Sequence, residues 1–257
     1  MHRSAKVEIL LGMLCLALFL WVMIERPKEE SVTYELESEP VLAPEDNGKK
    51  VMYLTFDDGP SKYTEEVLKI LKEADAKATF FVTNEFPDYV SLIKEEKKQG
   101  HAVGVHTYSH QYEKIYQNSD AYFSDIEAMQ TIIQEQTGER TTILRFPGGS
   151  SNTVSGSYCT GIMSELSTLV LQQGYEYYDW NATNGDGNTG WNADTLIETA
   201  KKEIGSQPVV MLLMHDGGGN GETVKALPSI LDYCKEQGYE FRVIDETTPQ
   251  FHHHINN

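Results

Sequence analysis

Cysteine is scarce in this chain of 257 residues: only Cys15, Cys159 and Cys234 occur. Cys15 lies inside an apolar run, so at most one disulfide can form in the remainder, and no cysteine-based metal site fits these spacings. Basic residues are the second shortage. Lys and Arg number 21 against 39 Asp and Glu, giving a formal charge of −18. The few cations are spread rather than clustered, so no stripe exists on which a phosphate backbone could sit, and nucleic acid is excluded as a partner. No internal repeat is evident.

Long apolar runs are also lacking, with one exception. After the basic start MHRSAK and Glu8, a run extends from Ile9 through Ile24 and stops at the charged ERPKEE. It closes on Leu-Trp-Val-Met-Ile rather than on the small residues of a cleavage site, so residues 1–25 read as a retained signal-anchor. The run is slightly short for a full span at about 1.5 Å per residue, which flanking side chains or a thinned bilayer can accommodate. Arg3 and Lys6 ahead of it predict a cytoplasmic N-terminus and an extracellular remainder; cleavage would make the protein secreted. Residues 26–49 are acidic and carry too little apolar periodicity for a buried element, so they read as a stalk.

What is present begins near Lys50. Short apolar or β-branched runs alternate with amphipathic stretches of about three turns, the signature of a parallel sheet with crossover helices. Seven strands are expected: 51–56, 78–82, 102–105, 142–145, 175–178, 209–214 and 240–243. Thr64 is expected to cap the first helix; further helices are expected near 88–99, ending at Gly100, and 120–136, ending at Gly138. The fold class is α/β, a distorted TIM-barrel-like (β/α) barrel spanning 50–250.

Asp57, Asp58, His106, Arg145, Asp179 and His215 each fall at, or just after, the C-terminal end of a different expected strand, Asp57 and Asp58 sharing one. Barrel enzymes assemble catalytic groups on that face, whereas chance would scatter such residues over both ends. His106 and His110 in HTYSH are four apart, a spacing that brings two imidazoles together on one helical turn. Alone, that pair reads equally as two ordinary histidines, and the Asp-Asp-Gly-Pro of TFDDGP reads equally as turn chemistry. Together they explain each other. Adjacent carboxylates ending a buried strand repel, a cation relieves the repulsion, and two histidines with one carboxylate leave an open position for water.

These residues resemble the polysaccharide deacetylase family, carbohydrate esterase family 4 with its NodB homology domain, over roughly 50–245. TFDDGP, HTYSH, RFPGG, YYDW and LLMH resemble its five motifs, in order. The resemblance implies Asp57 as general base, Asp58, His106 and His110 as ligands of one divalent ion, and Arg145 as the group orienting the base. It implies His215 as general acid, held protonated by Asp179, with Trp180 and Leu213 walling an acetyl pocket. After Pro147, where many relatives carry an aromatic residue, this chain has Gly148; its backbone N–H remains available to a developing oxyanion.

The expected reaction is hydrolysis of N-acetyl groups on an extracellular polysaccharide, peptidoglycan N-acetylglucosamine first and chitin oligomers or another glycan as alternatives. Zinc is the default ion, with cobalt or another divalent ion open. An anchored chain of this kind would sit in a bacterial cell membrane. The competing readings are a non-catalytic carbohydrate-binding domain on the same fold and a metal phosphoesterase, which needs a second metal cluster. His101 precedes a strand and is expected at the opposite end. His252 to His254 are expected to be a tail outside the site, and 181–191 a loop over it. Trp180, Trp191 and Tyr175 to Tyr178 are candidates for stacking on sugar.

Overall fold

Along the first strand, β1 (Lys50–Asp57), successive side chains point to opposite faces, and both faces are covered. Met52, Leu54 and Phe56 enter the core that packs sheet against helices; Val51 and Tyr53 enter a second cluster with Phe81, Tyr178, Met211 and Ile244. A strand buried on both sides belongs at the centre of a parallel sheet. The computed structural model describes residues 48–257. The expected anchor and nearly all of the expected stalk lie outside the described residues.

The order is β1, α1 (Thr64–Glu73), β2 (Ala78–Val82), α2 (Leu92–Lys98), β3 (Ala102–Val105), α3 (Tyr112–Ile115), α4 (Ser119–Thr137), β4 (Ile143–Leu144), α5 (Ile162–Gln172), β5 (Glu176–Tyr177), β6 (Ala182–Thr183), α6 (Ala193–Ile204), β7 (Val209–His215), α7 (Gly221–Glu236) and β8 (Tyr239–Phe241). Seven parallel strands follow one another in space as β5-β4-β3-β2-β1-β7-β6. β7 runs the length of β1, from Val51 opposite Val209 to Asp57 opposite His215. The other edge of β1 is divided, with β8 beside Lys50 to Met52 and β2 beside Leu54 to Asp57. Among the described residues β5 and β6 do not pair, so the sheet is a curled half-barrel with helices outside.

Six of the expected strands lie where the apolar runs place them, and the last forms as Tyr239–Phe241. One more, β6, arises inside the segment expected to be loop. Two residues offer no periodicity to read; Ala182 and Thr183 become a strand by pairing with Leu212 and Leu213. Gly138 stops α4 as expected, in the left-handed region, its N–H donating to Gln134 O. The helix expected over 88–99 is instead a 3-10 turn at Pro87–Tyr89 followed by α2. Thr64 does not cap α1: it is the first helical residue, and its hydroxyl donates to Asp216 Oδ2 at 2.5 Å. Cys159 and Cys234 are both free. Among the described residues no helix is long and apolar enough to cross a membrane.

Candidate active site

The inward-facing row of β1 changes character along its length. Val51 and Tyr53 close the bottom of the half-barrel with apolar surface, Thr55 bonds to Leu212 O, and Asp57 emerges at the C-terminal end. β7 does the same with Met211, Leu213 and His215, and the register sets Asp57 directly opposite His215. Both site residues therefore follow from period-two alternation combined with parallel pairing.

At this end the chain makes two turns in the left-handed region, at Asp58 (φ 71°) and at His110 (φ 52°). HTYSH is not helical as expected; the pair is brought together by a loop, with ring centroids 5.2 Å apart. Asp58 Oδ1 lies 3.4 Å from His106 Nε2 and 3.3 Å from His110 Nε2, and one ligand atom from each residue lies within 4.8 Å of the others. Bonds of about 2.1 Å at a tetrahedral angle would separate donors by about 3.4 Å, so the spacing fits one zinc-sized ion. Asp58 Oδ1 is buried without a hydrogen bond. His106 Nδ1 faces Arg145 O at 2.7 Å; a proton there leaves Nε2 its lone pair, the usual outer support of a ligating imidazole. Burial works against an Asp58 carboxylate, but His106, His215 and His110 outweigh it and hold its pKa well below the ordinary range.

Arg145 is fully buried and spends each side-chain nitrogen. Nη1 donates to Asp57 Oδ1 at 2.9 Å and Thr55 Oγ1 at 2.7 Å, Nε to Tyr178 O, and Nη2 to Asp179 O. Its guanidinium lies 4.2 Å over the Phe81 ring. A buried cation so saturated holds Asp57 in one orientation.

His215 does not pair with Asp179, contrary to the sequence-based expectation. Its Nδ1 faces Asp186 Oδ1 at 2.7 Å, and its backbone N–H donates to Asp186 Oδ2 at 2.8 Å. Burial lowers the imidazole pKa, but the bond to Asp186 and the charges of Asp186, Asp58 and Asp57 raise it to about 10. Asp186 stands in the turn-rich NGDG of the loop after β6. The available signal was an ionisable residue just past a strand end, but that strand has only two residues.

Asp179 is buried and occupied elsewhere. Its carboxylate accepts from Ser150 N–H and Oγ and from His253 N–H, and its own N–H donates to Phe251 O. Residues 251–253 thus lie along the end of β5 rather than trailing as an idle tail: His252 stacks on Tyr177 at 3.7 Å, and His253 Nδ1 meets Ser151 Oγ at 3.0 Å. They stay out of the metal cluster. His101 sits at the opposite end as expected, its Nδ1 accepting from Ala78 N–H, and burial and Lys77 lower its pKa to about 4.

A cleft of about 730 Å³ opens beside Asp58 and His215, with Trp191, Leu196, Asn188 and Asn220 in its walls. Trp191 packs over Gly185, where a Cβ would fall 2.5 Å from the indole. Trp180 instead lies against Gly149 and His253, its ring 5.7 Å from the Arg145 guanidinium. Leu213 is buried on the inward row two residues before His215, and Pro147 O accepts from the Tyr116 hydroxyl at 2.8 Å. Gly148 has φ 76° and faces Tyr112.

A family model described as polysaccharide deacetylase matches residues 45–159. A peptidoglycan-N-acetylglucosamine deacetylase of Bacillus cereus is 36% identical over 78% of this chain and 72% of its own length. Among solved structures, the catalytic domain of a peptidoglycan N-acetylglucosamine deacetylase from Eubacterium rectale superposes with a TM-score of 0.80 at 42% identity, over 85% of this chain and 100% of that one. A polysaccharide deacetylase from Bacillus cereus gives a TM-score of 0.67 at 33% identity, over 81% and 97%.

Proposed function

Because this chain belongs to the polysaccharide deacetylase family, hydrolases that cleave an amide carbon–nitrogen bond, we propose that it removes acetyl groups from N-acetylglucosamine residues of peptidoglycan. The observation that supports this best is the placement of Asp57 and His215 on facing strand ends beside Asp58, His106 and His110. An acid and a base on adjacent strand ends beside one ion-sized donor cluster suit hydrolysis of a neutral amide.

Asp58, His106 and His110 would hold one divalent ion. Two imidazoles and a carboxylate suit zinc, and cobalt is compatible. Bound there, such an ion would supply Lewis acidity and would lower the pKa of water from 15.7 to about 7. Asp57, oriented by Arg145, takes a proton from the attacking water. The backbone N–H of Gly148 is available to the oxyanion that develops on the acetyl oxygen. His215 uses Nδ1 on Asp186, which leaves Nε2 to protonate the departing sugar nitrogen. The water oxygen ends in acetate, the carbon–nitrogen bond breaks, and the nitrogen leaves as an amine. The apolar run at Ile9 to Ile24, with Arg3 and Lys6 before it, supports an anchored protein whose catalytic domain faces outward toward the cell wall.

Purified cell-wall glycan and chitin oligomers, each incubated with the protein with and without chelator, test the reading. Acetate release from cell-wall glycan that stops on chelation and returns with zinc is expected. Glycan binding without acetate release would make the domain a binding module, and release indifferent to chelation would remove the ion from the account.

A further inference from the structure

Gly148 stands at the rim of the site without a side chain, and the reason lies in another loop. A Cβ built on Gly148 would fall 2.6 Å from the hydroxyl oxygen of Tyr112 and 3.1 Å from Asn152 Cβ. The space beside that backbone is already taken by a tyrosine arriving from the second histidine loop. The left-handed turn at His110 redirects the chain, and Tyr112 opens α3 two residues later.

The ring is held on two sides. It meets the His110 imidazole edge-on at 5.7 Å and 84°, and Tyr116 at 5.3 Å and 74°. Tyr116 is itself fully buried and tied to Pro147 O. The hydroxyl of Tyr112 has no hydrogen-bond partner among the described residues, yet it is not among the enclosed, unsatisfied atoms. A tyrosine serving the core alone buries its ring and satisfies its hydroxyl on protein. This one instead presents a rigid, unspent donor beside an ion-ligand imidazole and over the Pro147-Gly148 backbone.

We propose that Tyr112 is a sugar-contacting residue of this site, its hydroxyl donating a hydrogen bond to an oxygen of the acetylated sugar on the Gly148 side. The contact is supplied from the second histidine loop, in the space where a side chain at 148 would stand. The inference rests on the deacetylase reading for the identity of its ligand. A pre-oriented aromatic donor adds affinity with little ordering cost, so its effect falls on binding more than on the chemical step.

Tyr112→Phe in the full chain removes the hydroxyl and keeps the ring. Three readouts are compared with the unmodified protein: acetate release from an N-acetylglucosamine oligomer, equilibrium binding of that oligomer to chelated protein, and zinc content with Tm. KM and the binding constant are expected to weaken roughly threefold to tenfold, the size of one neutral hydrogen bond, with kcat changed less than about twofold and zinc content and Tm unchanged. Unaltered KM and binding would overturn the proposal. So would a fall in kcat at constant affinity, which would place the hydroxyl in the chemical step. If the unmodified protein releases no acetate from any glycan, the deacetylase reading fails, while the binding comparison still decides Tyr112.

Discussion

Asp186 and His215 are joined twice, Oδ1 to the ring at 2.7 Å and Oδ2 to the backbone N–H at 2.8 Å, so one carboxylate sets both the position and the tautomer of the imidazole. Thr223 Oγ1 donates to the same Oδ2 at 2.6 Å, which fixes the carboxylate in turn. Without the Asp186 charge, burial acts on His215 with less opposition and its pKa falls from about 10 toward or below the ordinary imidazole value. Asp186→Asn is therefore expected to pull the alkaline limb of the pH–rate profile to lower pH and to reduce the rate at pH 8 by about 10²-fold or more. Partial recovery near pH 6 is the distinguishing sign. The raised pKa also stabilises the fold below about pH 6.5 and ceases to do so as pH rises through about 10; Asp186→Asn should flatten that dependence in urea titrations.

Asp57 and Asp58 are neighbours with different partners. Asp57→Ala is expected to keep stoichiometric zinc and lose acetate release, whereas His106→Ala loses both, because only His106 supplies a donor to the cluster. Metal analysis beside the acetate assay checks this; equal zinc loss in both would remove the distinction between base and ligand.

Arg145 has no exposure and holds Asp57, Thr55 and two carbonyls at the end of β5. Arg145→Met leaves Asp57 a buried charge with no hydrogen-bonded cation, His106 Nε2 standing 3.9 Å away, and is expected to cost about 3–5 kcal/mol of stability by urea denaturation. A loss under 1 kcal/mol would mean that Asp57 finds another partner.

Asp216 is buried behind Gly59, where a Cβ would meet its carboxylate at 2.3 Å. Burial raises its pKa from 3.8 to about 7, with the charges of Asp58 and Asp57 adding to the shift. A carboxyl raised on folding contributes stability below pH 3.8 that is lost as pH climbs to about 7. Asp216→Asn keeps an acceptor for Thr64 and cannot ionise. Its unfolding free energy in urea, relative to the unmodified protein, should rise between pH 4 and pH 8 by an amount on the order of 3–4 kcal/mol. A pH-independent difference would show that Asp216 ionises freely in the fold.

His253 ties residues 251–253 to Asp179 and Ser151, next to the loop that carries Arg145 and Gly148. His253→Ala keeps the backbone bond to Asp179 but loses the ring's bonds to Ser151 Oγ and Trp180 O, and is expected to lower stability by about 1–3 kcal/mol, the scale of two side-chain hydrogen bonds, without changing zinc content. Thermal unfolding and metal analysis together check it.

The alternation in β1 and β7 was legible because burial on both faces of a central strand demands apolar side chains with a fixed period, and the same alternation delivers Asp57 and His215 to one rim. The three residues that cluster as candidate ion donors were legible too, since TFDDGP and HTYSH pack unusual residues at short spacing. β6 was not, because two residues carry no period. The helical placement of HTYSH failed because a spacing of four suits a helix and a tight loop equally, and the left-handed turn at His110 is a property of its surroundings.

By itself the amino-acid order determined the layered α/β architecture, the strand ends and the set of reactive groups, since these depend on short-range pattern and on which residues water expels. The folded chain alone decided which carboxylate serves His215 and what stands beside Gly148. Asp179 and Asp186 are equally acidic in the sequence; the choice between them is made by where a two-residue strand pairs and where residues 251–253 come to rest. Those are long-range contacts, and no local spacing encodes them.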